Sequence, residues 1–65
     1  MTSTKTKISK KQFKELVQQF QKDHHFIPYK DQKDEYYSFL TRKGEVLISI
    51  YKFDKYYFLQ IDTLD

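Results

Sequence analysis

The chain predicts an α+β fold, one N-terminal α-helix packed on a three-stranded antiparallel β-meander (αβββ), and three observations carry that prediction. Phe13, Leu16, Val17 and Phe20 recur at i, i+3, i+4 and i+7, the spacing of a helix with one apolar face. From Tyr36 onward apolar residues alternate with a period of two, as strands require. Thr41-Arg42-Lys43-Gly44 and Phe53-Asp54 interrupt that alternation with residues suited to hairpin turns.

Residues 1–7 offer Thr, Ser and Lys but nothing to bury after Met1, which predicts a disordered basic tail ahead of a single domain at 8–65. Ser9 followed by Gln12 has the form of a capping box, and Ile8 and Phe13 occupy the two positions of a hydrophobic staple. The helix therefore starts at Ser9. Lys10 and Lys11 put positive charge at the positive end of the helix dipole, at a cost of some tenths of a kcal/mol, roughly, which hints that they serve a contact. Lys11, Lys14, Gln18, Gln21 and Lys22 form the wet face, and the helix should end near Asp23 or His24, ahead of Pro28.

Phe26-Ile27-Pro28-Tyr29 is a short apolar link that can tuck under the sheet or run along its edge, because Pro28 bars it from a central strand. Lys30 to Glu35 are all charged or polar and predict an exposed loop. Three strands follow, at Tyr36–Thr41, Glu45–Lys52 and Tyr56–Asp62. With hairpin loops of two or four residues, Phe39 faces Val46 or Ile48, and Ile50 faces Tyr57. Tyr37, Phe39, Val46, Ile48, Ile50, Tyr57, Leu59 and Ile61 then share the side that the helix covers.

Tyr36, Leu40, Leu47, Tyr51, Tyr56 and Phe58 fall on the other side, and the chain has no second helix to cover them. Apolar area left in water forgoes about 25 cal/mol per Å² of stabilisation. This second face is accordingly the expected partner-binding surface, for a protein or for a second copy of the chain as a homodimer.

Other classes find little support. At 65 residues without cysteine, the chain has neither a disulfide nor a thiolate metal site to reinforce a small core. His24 and His25 are adjacent and diverge, so no metal is expected. Asp31, Asp34 and Glu35 lie among lysines, where solvated pairing is the default, and a single glycine excludes a phosphate-cradling loop. The expectation is a non-enzymatic protein with no cofactor and no small-molecule substrate. The longest apolar run is five residues, too short for a bilayer, and the N-terminus lacks a secretory h-region, which predicts a cytoplasmic protein.

The net charge of +3 is segregated: residues 1–22 sum to +5 and residues 23–65 to −2. Lysines beside aromatic strands suggest an alternative, nucleic-acid binding through Lys10, Lys11, Lys14 and Lys22 together with the aromatic sheet residues. Arg42 is the sole arginine, which weakens base-edge readout, and acids lie among the strands. In composition the chain resembles the accessory and inhibitor proteins of phages and mobile elements in low-GC bacteria. That resemblance rests on style and no motif, and implies occupancy of a partner surface with no residue roles attached.

Overall fold

A computed structural model describes residues 2–29, 33 and 35–64. Among these, the elements run β1 (Thr2–Ile8), α1 (Lys10–Lys22), β2 (Phe26–Pro28), β3 (Tyr36–Thr41), β4 (Val46–Phe53) and β5 (Tyr56–Thr63). All strands pair antiparallel in one sheet of order β1-β5-β4-β3-β2, with the helix laid on one side.

The three-stranded αβββ expectation is therefore corrected to one helix on five strands. A bare β3-β4-β5 meander would expose unpaired backbone groups on both edges. Residues 2–8, expected to be largely a mobile tail, instead pair with β5 along the whole of β1, from Thr2 opposite Thr63 to Ile8 opposite Tyr57. This pairing needs no apolar side chain. Backbone hydrogen bonds and the β-branched Thr2, Thr4 and Thr6 suffice, and β1 stays exposed up to Lys7. The other edge is taken by the Phe26–Pro28 link, opposite Thr41, Leu40 and Phe39, where proline is tolerated.

The helix begins as its sequence predicts. The backbone N–H of Gln12 donates to Ser9 Oγ at 3.1 Å, and the Ser9 N–H donates to Gln12 Oε1 at 2.9 Å, completing a reciprocal capping box. It ends at the cap Asp23, where the chain turns towards β2. Arg42 holds this corner, its Nε donating to the His24 carbonyl at 2.6 Å and its backbone N–H to the His25 carbonyl at 3.2 Å.

Phe13 and Val17 are buried against Phe39, Ile48 and Ile50, with Leu16 and Phe20 packed alongside. Phe13 meets the Tyr57 ring at 4.7 Å between centroids, and Phe20 meets Phe39 at 5.6 Å and Phe26 at 4.9 Å. Ile50, with no exposed surface, and Phe39, at 1 %, form the centre.

Register follows the four-residue option for the first hairpin, placing Phe39 opposite Ile48. Thr41 organises that turn: its carbonyl accepts from the Gly44 N–H at 2.8 Å and its Oγ1 from the Glu45 N–H at 2.9 Å. Gly44 supplies the required positive φ, 74°. In the second hairpin Ile50 lies opposite Leu59, two positions from the expected Tyr57, because Phe53 pairs with Tyr56 across a tight Asp54–Lys55 turn. A shift of two preserves which residues share a face. Of the expected Lys30–Glu35 loop, Lys30, Asp31, Gln32 and Asp34 lie outside the described residues.

Candidate interaction surface

The strand pairing sets the face opposite the helix in rows. One row runs Ile27, Leu40, Leu47, Asp62, Ser3, and the next Ser38, Ser49, Gln60, Lys5. A third runs Tyr36, Tyr51, Phe58, Lys7, and Phe53 with Tyr56 closes the hairpin end. All six residues expected there, Tyr36, Leu40, Leu47, Tyr51, Tyr56 and Phe58, lie on this face, the leucines separated from the rings by the row of Ser38, Ser49 and Gln60.

The rows differ in height. Ser38 and Ser49 face each other across β3 and β4 and are buried, sunk between a wall of leucines and a wall of rings. The ring wall is a ladder: Tyr36 to Tyr51 spans 5.7 Å and Tyr51 to Phe58 5.8 Å between centroids, both tilted. Neighbours shield one another, so Leu40, Leu47, Tyr51 and Phe58 are partly buried. Tyr36 and Tyr56 remain 47 % and 45 % exposed, and Phe53 66 %.

Lysines from β1 join this surface. The Lys5 ammonium lies 4.5 Å from the Phe58 ring centre and 6.0 Å from that of Tyr51, and the Lys7 ammonium lies 3.9 Å from that of Tyr56. Each is a cation–π contact worth roughly 0.5–1 kcal/mol at an exposed site. A polar chain crosses the same region, the Tyr51 hydroxyl donating to Gln60 Oε1 at 3.1 Å and Gln60 Nε2 donating to Asp62 Oδ2 at 3.2 Å.

Sequence reasoning missed Lys5, Lys7, Ile27, Phe53 and the serine hollow. For Lys5 and Lys7 a signal existed in the Thr-Lys alternation of residues 4–7, which has a strand's period but no apolar phase. Ile27 became visible only once its link proved to be an edge strand. The helix lysines Lys10, Lys11, Lys14 and Lys22 belong to the layer on the opposite side of the sheet, so the sheet separates them from the rings.

Among the described residues no group of His, Cys, Asp and Glu is placed to hold a metal ion, and no helix is long and apolar enough to cross a membrane. His24 and His25 are exposed. The His25 backbone N–H and Nδ1 both meet Asp23 Oδ1, at 2.9 and 3.0 Å. The His25 backbone hydrogen bond, followed by its side-chain bond, holds the Asp23 carboxyl below its ordinary 3.8. Comparison with protein-family models, curated proteins and solved structures finds no match.

Proposed function

We propose that this chain is a small non-enzymatic protein-binding module whose activity is occupancy of a partner surface by the sheet face opposite the helix. One observation carries the reading: the helix covers a single side, and the other presents a row of leucines and a ladder of rings that are partly or largely exposed, among them Tyr36, Leu47 and Tyr56. Tyr and Phe bring large contact area at little rotamer cost, and the Tyr hydroxyl stays satisfied at a wet rim. A phage-type accessory or inhibitor protein acts in this manner, by blocking what it covers. The cysteine-free composition supports a cytoplasmic setting.

The test compares material co-purifying from the native host with tagged wild type, Tyr51→Ala, Phe58→Ser and a helix-surface control, Gln19→Ala. The expected result is a protein species held by wild type and Gln19→Ala and lost from both sheet variants, whose far-UV CD spectra stay unchanged. A species held equally by all four refutes the assignment of the face.

Nucleic-acid binding is the second reading, favoured by Lys5 and Lys7 beside the ring ladder. It predicts salt-sensitive retention on single-stranded DNA or RNA. For Lys10, Lys11, Lys14 and Lys22 to act together with the ring ladder, one strand of nucleic acid would have to touch both sides of the sheet.

A further inference from the structure

We infer that the occupant of the open face is a different protein, bearing carboxylates where it meets β1 and aliphatic side chains where it meets β2, β3 and β4. The inference rests on the docking face proposed above and names the chemistry of its partner.

The strand residues of this face carry two cations, Lys5 and Lys7, against one carboxylate, Asp62. Lys5 and Lys7 stand at the β1 margin, and neither ammonium has a carboxylate partner among the described residues. The acid on the same strands, Asp62, already accepts from Gln60, which in turn accepts from Tyr51. Across β2, β3 and the start of β4 the face is uncharged, with Ile27, Leu40 and Leu47 in one row. A complementary surface is therefore acidic over β1 and apolar over the leucines.

A second copy does not have that surface. Its open face would present two more lysines against the single carboxylate of Asp62, so face-to-face self-association brings together four cations and two acids. A nucleic acid would satisfy the lysines, but the leucine row offers no stacking plane, and the Phe58 and Tyr56 rings are already occupied by ammonium groups.

Three defined probes test this by amide chemical-shift titration: an eight-residue peptide alternating Glu and Leu, its Lys/Leu counterpart, and a twelve-nucleotide thymidine strand. The Glu/Leu peptide is expected to perturb β1, β4 and β5 and to bind at least about tenfold more tightly than the Lys/Leu peptide. Lys5→Met and Lys7→Met keep the aliphatic stem on the rings while removing the charge, and each should weaken binding about threefold, with Lys43→Met as an unaffected control.

Equal affinity for both peptides, or indifference to Lys5→Met and Lys7→Met, overturns the acidic partner. If Leu47→Ala still weakens binding in that case, the docking face itself survives. Shifts confined to the helix refute both readings. Tighter binding of the thymidine strand assigns the face to nucleic acid, and a concentration-dependent dimer masking β4 assigns it to a second copy; either overturns the inference.

Discussion

Two side chains next to each other in sequence state how differently the two faces of the sheet are used. Leu47 points to the open face and Ile48 is buried under the helix. Ile48→Thr puts a hydroxyl in the core in place of an ethyl group, so it should cost about 2 kcal/mol or more in urea unfolding. Leu47→Thr, half in water, should cost less than about 1 kcal/mol. Equal losses would mean that the open face is core as well. Backbone conformation gives a second contrast. Gly44 has φ 74° with nothing within 4 Å of an added Cβ, so Gly44→Ala pays for conformation alone, about 1 kcal/mol. Asp54, at φ 62°, carries the opposite opportunity, and Asp54→Gly should leave stability level or raise it by roughly 0.5 kcal/mol. At Asp23 the folded carboxyl titrates below 3.8, so its stabilising contribution is complete above that pH and fades as pH falls through the lower folded value. Asp23→Asn should match wild-type stability in strong acid and fall behind it at neutral pH, and a carboxyl NMR titration should find a midpoint under 3.8.

Among the elements, β1 is the most exposed to experiment. Deleting residues 1–7 removes six of the seven residues of β1 and bares the edge of β5, so the unfolding free energy should drop by about 2 kcal/mol or more. An untouched thermal midpoint would restore the mobile tail. This is also the element least legible in the sequence, for a physical reason. Sequence patterns report which side chains avoid water, and β1 buries almost none; its place comes from backbone groups that every residue carries. The helix was legible because Ser9 and Gln12 announce its start and four apolar side chains mark its face. Both sheet faces were legible because alternation survives any even shift in register, including the one at Ile50. Tyr36, Leu40, Leu47, Tyr51, Tyr56 and Phe58 fall on one face for the same reason, whereas Lys5 and Lys7 inherited the obscurity of their strand.

For the molecule as a whole, two layers must do the work of a core, and the buried cluster is anchored by five residues, Phe13, Val17, Phe39, Ile48 and Ile50. Stability is correspondingly small at this size, and a ligand for the open face should raise the thermal midpoint with the logarithm of its concentration once above its Kd. The order in which the chain is made adds a constraint of its own. β1 precedes its partner β5 by all the intervening elements, Thr2 lying beside Thr63, so β1 cannot pair until β5 has been made. During synthesis β1 waits with its amides turned to water until β5 emerges, and a product stalled or clipped before β5 arrives without the seam that joins the two strands.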